Sequence, residues 1–274
     1  MPELPEVETV RRTIETKICN KIIRSVEVNH TDVLDGMEKE DFIDLLVGNT
    51  VLRMERRGKY LIFCLKQEKK LILHLRMTGQ LVYFENDFQK DPHCHVVVYF
   101  EDGGGFYYRD VRRFGRFCLI GSGGKTECGM NRLGFEPMDR KFTVNYVKDG
   151  VQNRRCSIKS RILDQHFIAG IGNIYADEIL FAARIHPERM CAELTNCQIK
   201  RLKKASEEIL LQAIEHRGTT FSDFRDGYGE SGGHQDHLAV FHRAGEPCPV
   251  CGTIIESIKC GGRTTSFCPK CQKR

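Results

Sequence analysis

Four cysteines near the end of the chain, spaced Cys248-x2-Cys251-x16-Cys268-x2-Cys271, restrict the fold more than any other feature. Two C-x-x-C knuckles at this separation can set four thiolates tetrahedrally around one zinc ion. A closed set of four sulfurs leaves no open coordination position. One structural zinc ion is therefore expected, with no catalytic part. A redox dithiol pair is the alternative, but neither knuckle sits in the strand–helix–strand context that such pairs occupy. Between the knuckles, IIESIKCGGRTTSF reads as two strands joined at Gly261-Gly262, which puts Arg263 at the tip of a hairpin, where it can reach a phosphate.

A finger of this size accounts for little of a 274-residue chain, so at least one larger domain precedes it. Hydrophobic residues make up 41%, enough for real cores. The formal net charge of +5 favours a polyanionic partner only modestly. Its distribution is more informative. Arg53, Arg56, Arg57 and Lys59 form one basic group, and Arg109, Arg112, Arg113 and Arg116 a second. Arg154, Arg155, Lys159 and Arg161 form a third, and Arg263, Lys270, Lys273 and Arg274 a fourth on the finger. One such group is an ordinary solvated surface; four of them ending in a zinc module point to nucleic acid.

No run of about 18 apolar residues supports a membrane span. The opening MPELPEVETVRR carries acids and prolines where a signal peptide has a basic start and an apolar centre. A cytoplasmic location is expected, nucleoid-associated if the source is bacterial. The other nine of the 13 cysteines are scattered (Cys19, Cys64, Cys94, Cys118, Cys128, Cys156, Cys191, Cys197 and Cys260), which fits reduced thiols rather than a disulfide framework.

Residues 2 to about 18 read as a helix, with Val7, Val10, Ile14 and Ile18 on one stripe and Pro5 tolerated in the first turn. From about 22 to 120 the pattern turns to short strands (61–66, 71–75, 95–100, 106–111, 116–120), the mark of a β-sandwich or barrel. The glycine-rich stretch 121–134 reads as a hinge. Beyond it the chain becomes helical, with a capping box at Thr195 and Gln198 and a helix end at Gly218. Residues 218–236 are polar and glycine-rich and read as a long mobile loop, a kind usually kept for function. The fold class is thus α+β multidomain: an N-terminal sandwich domain (1–130), a helical domain with its loop (131–236) and a finger (237–274).

The N-terminus carries chemistry of its own. Removal of the initiator methionine would expose Pro2 on the first turn as a secondary amine. Such an amine titrates near ~8 and is partly neutral and nucleophilic at physiological pH. Glu3 and Glu6, one and four residues on, could supply a proton to a sugar oxygen while the amine attacks carbon. Acids that merely complement the helix dipole are the plainer reading of the same residues. In AGIGNIYADE (169–178), Gly170 and Gly172 let backbone approach a ligand, and Asn173 adds an amide beside a helix start.

Taken together these segments resemble the formamidopyrimidine-DNA glycosylase family along nearly the whole chain. PELPEVE, ERRGKYL (55–61), HLRMTG (74–79), RDVRRFG (109–115), GIGNIYADE and GEPCPVCG…GGRTTSFCPKCQ follow in the family's order. The resemblance implies an N-terminal β-sandwich with its leading helix, a helix–two-turn–helix domain and a zinc β-hairpin finger, with DNA between two lobes. It implies Pro2 as the nucleophile at C1′, Glu3 as the acid at the sugar ring and Glu6 as a supporting carboxylate. Lys59 is implied in phosphate contact and elimination, and Arg263 in gripping the flanking phosphates and in δ-elimination. Met77, Arg112 and Phe114 would fill the space left by the extruded base. His93, Arg154, Lys159 and Asn173 would contact the DNA backbone.

The expected activity is excision of oxidised purines (8-oxoguanine, formamidopyrimidines) from double-stranded DNA, followed by β,δ-elimination at the abasic site, by a monomer. Thr78 stands where several relatives carry an acid, and the loop at 218–236 diverges, so the lesion range is left open. Two rivals remain. An endonuclease VIII-like glycosylase for oxidised pyrimidines typically has glycine where this chain has Leu4. A non-catalytic damaged-DNA-binding protein on the same scaffold leaves Pro2, Glu3 and Lys59 without a task.

Overall fold

The computed structural model describes residues 1–121 and 129–274. Half of the glycine-rich stretch read as a hinge, residues 122–128 with Cys128 among them, lies outside the described residues. Two compact units emerge: residues 1–131 with 216–235, and residues 132–215 with 236–274.

The first unit opens with α1 (Leu4–Ile18), followed by β1 (Ile23–Val28), α2 (Lys39–Leu46) and β2 (Val51–Arg57). Next come β3 (Tyr60–Leu65), β4 (Lys70–His74), β5 (Gln80–Phe84), β6 (Cys94–Phe100), β7 (Gly105–Arg109) and β8 (Arg116–Ile120). The predicted stripe on α1 is real: Val7, Val10, Ile14 and Ile18 are all fully buried. Each stabilises by about 1.5–3 kcal/mol on leaving water.

The strands form two four-stranded antiparallel sheets, ordered β1-β6-β7-β5 and β2-β3-β4-β8. Alternation decides how they stack. Leu61, Phe63 and Leu65 of β3 join Val96, Val98 and Phe106 of the other sheet in one core. Ile62 and Cys64 turn to the opposite face, in a separate cluster with Ile72 and Cys118. Across the inner layer Phe63 stacks on Phe106 at 5.3 Å, and Tyr108 meets Phe117 edge-on at 5.1 Å. The result is the expected sandwich.

The second unit contains α3 (Val144–Val151), α4 (Ile158–Ile162), α5 (Asn173–Ala182) and α6 (Asn196–Glu215), then the hairpin β9 (Glu256–Cys260) and β10 (Arg263–Phe267). The capping box forms as read: Gln198 N–H donates to Thr195 Oγ1 at 3.3 Å, and Gln198 Oε1 accepts from Thr195 N–H at 3.0 Å. Helix α6 stops at Glu215, and Arg217 and Gly218 both adopt left-handed φ, 62° and 79°. Residues 236–274 pack with the helices in one unit. Glu178 of α5 accepts backbone N–H bonds from Ala239, Val240 and Phe241 at 2.8–2.9 Å, which merges residues 236–274 with the helices.

The polar loop differs more from its expected character. It belongs to the sandwich unit, not to the helices that precede it. Phe224 enters the sandwich core, Gly227 N–H donates to Thr13 Oγ1 at 2.9 Å, and Tyr83 N–H donates to Gly227 O at 2.8 Å. Arg217 pairs with Asp226 and Glu230 within the loop. A loop so anchored is a built element of the sandwich unit. Phe221 and Tyr228 stay about half exposed on it, at 49% and 45%.

Candidate active site and nucleic-acid interface

The first turn of α1 is built by its own acids. Glu3 is the N-cap, and Glu6, three residues on, reaches back so that its Oε2 accepts the Glu3 N–H at 2.7 Å. The other oxygen, Oε1, accepts the Thr219 N–H at 2.8 Å, so the same carboxylate anchors the loop's first residues. Gly218 must be glycine for this. A Cβ there would lie 2.9 Å from Glu6 Oε1 and 3.2 Å from the Glu6 backbone, and its φ is 79°. Pro2, read as lying on an exposed turn, is buried, as are Glu3 and Glu6; Met1 ahead of it is exposed. While Met1 is attached, the Pro2 nitrogen is a peptide nitrogen with no hydrogen. Only removal of Met1 would make it a secondary amine.

Lys59 occupies the two-residue turn between β2 and β3, beside Gly58 with its φ of 57°. It is 6% exposed. What holds this turn is Arg56, whose guanidinium donates to Gly58 O at 3.0 Å and to Glu8 Oε2 at 3.0 Å. Glu8 also takes Arg11 and Arg12, so the Lys59 turn is bound to the same helix whose first turn holds Pro2 and Glu3. Neither Glu8 nor Arg56 was singled out as a site residue by sequence; both are positioning residues.

Burial alone would raise the Glu8 carboxyl, but the Arg11, Arg12 and Arg56 partners overcome it and bring its pKa to about 2. Its folded pKa lies below the ordinary 4.5, so its stabilisation is complete above about pH 4.5 and disappears as pH falls toward 2. Glu8→Gln should therefore lose about 3 kcal/mol at pH 7 and converge with the parent near pH 2. Urea midpoints at pH 7 and pH 3 check this, and an equal deficit at both would refute it. Nearby, burial and the positive charges of Arg76 and Lys59 hold His74 neutral, with a pKa of about 3.

Met77, Arg112 and Phe114, from two different strand ends, come together. The Arg112 guanidinium lies 4.6 Å from the Phe114 ring centroid, and its Nη1 is 3.2 Å from Met77 Sδ. All three are exposed; Met77 is 41% and Phe114 46% accessible. The cluster is held from below by Asp110, fully buried, whose carboxylate accepts from Tyr108 Oη at 2.8 Å and from the N–H groups of Gly115 and Arg112 at 2.9 and 3.1 Å. Thr78 Oγ1 completes the set. Burial pushes the Asp110 pKa up, and these donors bring it back below the ordinary carboxylate value. Gly115 is obligatory here: a Cβ would fall 1.7 Å from Tyr108 Oη. Thr78, the departure noted above, is thus part of the support. His93 is half-buried, with its N–H bonded to Asp91 and its carbonyl accepting from Asp110.

In the second unit Arg263 is exposed at the hairpin turn, where Gly261 and Gly262 have φ of 59° and 75°. Arg154 is exposed as well. Asn173 donates to Thr264 O at 3.0 Å, which ties the start of α5 to the hairpin. Lys159 departs from the expected DNA-backbone contact. Its side chain is 0% exposed, with Nζ 2.6 Å from Asp177 Oδ1 and 2.7 Å from Thr265 Oγ1. A phosphate cannot reach it there. The ammonium instead neutralises Asp177, whose other oxygen accepts the Ser266 N–H at 2.9 Å, so the pair fastens the hairpin to α5. Desolvation raises the Asp177 pKa to about 6 and lowers that of Lys159.

The four knuckle sulfurs lie within 4.8 Å of one another, with Cys248–Cys271 at 4.0 Å and Cys251–Cys268 at 3.5 Å. Tetrahedral zinc with Zn–S near ~2.3 Å places its sulfurs ~3.8 Å apart, so the donor set fits one structural zinc ion.

Residues 1–117 match the formamidopyrimidine-DNA glycosylase N-terminal domain, 133–225 its H2TH domain, and 245–274 the zinc finger found in FPG and IleRS. The formamidopyrimidine-DNA glycosylase of Desulforamulus reducens is 43% identical over 275 residues, covering 100% of this chain and 99% of the relative. That of Symbiobacterium thermophilum is 46% identical, covering 99% and 89%. Among solved structures, Lactococcus lactis Fpg with an abasic site containing DNA superposes with a TM-score of 0.90 at 36% identity, covering 99% and 100%. The wild-type Lactococcus lactis protein with an oxidized pyrimidine containing DNA gives 0.91 at 36%, covering 100% of each. The chain belongs to the formamidopyrimidine-DNA glycosylase family and is a base-excision-repair DNA glycosylase with lyase activity at abasic sites.

Proposed function

We propose that this chain excises 8-oxoguanine and formamidopyrimidines from duplex DNA through a Schiff base on Pro2 and cleaves the abasic strand by β,δ-elimination. The observation that carries the reading is the Glu3–Glu6 capping turn behind Pro2, bound through Glu8 and Arg56 to the Lys59 turn. Once Met1 is removed, the Pro2 amine attacks C1′ of the damaged nucleotide while Glu3 protonates the sugar-ring oxygen. The C1′–N bond to the base breaks, and the base leaves with the bonding pair and takes up the proton lost by the amine. The C1′–O4′ bond then opens, O4′ keeping its pair and the proton from Glu3 as a hydroxyl, while the Pro2 nitrogen lone pair forms the iminium. That cation acidifies the neighbouring C2′ proton, so the 3′-phosphate departs first and the 5′-phosphate second. Lys59 and Arg263 hold the two phosphates through these steps. Glu6 takes no proton in this scheme, since both its oxygens serve backbone donors.

His93, Arg154 and Asn173 are assigned to DNA-backbone contact, and residues 218–236 to enclosing the flipped base. Cys248, Cys251, Cys268 and Cys271 hold the zinc, which when bound keeps the finger folded. The protein acts as a monomer inside the cell. A second substrate class, oxidised pyrimidines, is favoured by the Lactococcus lactis complex with such DNA. Single-turnover nicking of duplexes carrying 8-oxoguanine, a formamidopyrimidine, thymine glycol or an abasic site tests the assignment. Purine lesions should be cut fastest after the abasic site. Thymine glycol cut faster than 8-oxoguanine would reverse it.

The Met77–Arg112–Phe114 cluster is assigned to the gap in the helix. Phe114→Ala removes a stacking surface worth ~1–3 kcal/mol, and excision of 8-oxoguanine should fall by ~10-fold or more. Cleavage at a preformed abasic site, where no base needs flipping, should fall much less. Arg112→Ala should in addition relax the preference for the base opposite the lesion, because a planar donor fork facing that base is its natural reader. Rates on both substrates, opposite each of the four bases, are the check. Equal losses on abasic and base-containing duplexes would remove the gap-filling assignment.

A further inference from the structure

Among the eight described cysteines outside the zinc knuckles, two face each other. Residues 157 and 190 form an antiparallel bridge, which sets Cys156 directly opposite Cys191, and the Cys191 N–H donates to Cys156 O at 3.0 Å. Their Sγ atoms are 3.8 Å apart. Opposed residues of this kind have Cα atoms about 5.5 Å apart, inside the span a disulfide bridges. Side-chain rotation alone must close the remaining distance. The next residue meets a different thiol: Ser157 Oγ lies 3.3 Å from Cys260 Sγ, while the sulfur recorded beside Cys156 is that of Cys191. Among the described residues only the four knuckle cysteines form a cluster able to hold a metal ion, which removes metal binding as the explanation for the pair.

We propose that Cys156 and Cys191 are a reversible oxidation site, converted to a disulfide by hydrogen peroxide. Cys156 is half-buried and follows the exposed Arg154 and Arg155, whereas Cys191 is 1% exposed. Access assigns the first step to Cys156. Its thiolate attacks the peroxide oxygen, the O–O bond breaks, and water leaves after protonation, giving a sulfenic acid. The Cys191 sulfur then displaces hydroxide from that sulfenic sulfur, and its own proton departs with the hydroxide as a second water. Two thiols and one peroxide give one disulfide and two waters. Burial, and next the Cys156 sulfur, push the Cys191 thiol up to about 12, which fits a thiol that acts second and only on a partner already oxidised. The bond would clamp the turn carrying Arg154 and Arg155 to the segment at 187–191.

The test uses the zinc-loaded full chain, treated with hydrogen peroxide at a few equivalents, alkylated, digested and mapped by mass spectrometry, with zinc release followed in parallel. The expected product is one cross-linked peptide pair joining Cys156 to Cys191, two hydrogens lighter, formed while zinc stays bound and reversed by dithiothreitol. In Cys191→Ser, Cys156 should stop at the sulfenic acid and be captured by dimedone. In Cys156→Ser, Cys191 should remain reduced at the same dose. Both thiols remaining alkylatable, Cys156 joined to Cys260 or to a knuckle cysteine, or Cys191 oxidised as readily without Cys156 would each overturn the proposal.

Discussion

Protein that retains Met1, or carries an uncleaved N-terminal tag, is expected to lose both glycosylase and lyase activity by at least about a thousandfold while still binding damaged duplex. The reason is covalent. With Met1 attached the Pro2 nitrogen is an amide, its lone pair delocalised into the carbonyl, and it cannot form an iminium. Little else need change: α1 is capped by Glu3 and Glu6, not by Pro2, and its buried stripe starts at Leu4. Binding therefore separates the two possible causes of a loss. Circular dichroism and a lesion-duplex titration should match the processed protein. If affinity falls in parallel with rate, the N-terminus has a structural part and the nucleophile assignment weakens. Lys59→Ala is the companion variant, with elimination slowed and the first covalent step still detectable.

The second large effect concerns the metal. Cys268→Ser should reduce bound zinc from one per chain to well below one. The apolar surroundings of the knuckles are small, made by Phe181, Val240 and Ile255 with the cysteines themselves. They cannot replace a zinc site that supplies on the order of 10 kcal/mol. The β9–β10 hairpin should lose amide protection, and with it the fixed position of Arg263, so affinity for lesion duplex should fall by about tenfold or more. The sandwich has its own core and should keep its unfolding transition. Arg263→Ala with zinc retained separates charge from scaffold, and should lose affinity with no change in metal content or hairpin protection. Full zinc occupancy in Cys268→Ser would contradict the four-sulfur site.

Much of the fold was legible because it rests on local pattern. The period-2 alternation at 61–65, the helical stripe on α1, the Thr195–Gln198 box and the Gly261-Gly262 turn each need only a few neighbouring residues to be recognised. Strand β2 (VLRMERR) was missed as an element because its polar face is dense with charge, and its burial depends on α1 and β3. The supports of the site escaped for a related reason. Arg56 finds Glu8 across 48 residues, and Asp110 gathers Thr78 from 32 residues away, distances at which no spacing rule applies. Lys159 is hard to single out in the sequence because Arg154, Arg155, Lys159 and Arg161 look equivalent in a row. Only the helix α4, which turns Ile158, Lys159 and Ile162 inward, distinguishes the buried ammonium from its exposed neighbours. The loop at 218–236 looked mobile from composition, yet composition does not reveal that Phe224 enters the core or that Glu6 caps its start.

Catalysis through Pro2 requires that its nitrogen become covalently joined to the sugar. Borohydride reduction during turnover on an 8-oxoguanine duplex, followed by peptide mapping, tests it most directly. A single trapped adduct on the N-terminal peptide, at the Pro2 nitrogen of protein lacking Met1, is the predicted result. Undamaged duplex should give no adduct. An adduct mapped to Lys59 or any other lysine, or none at all from protein that still nicks the strand, would contradict it.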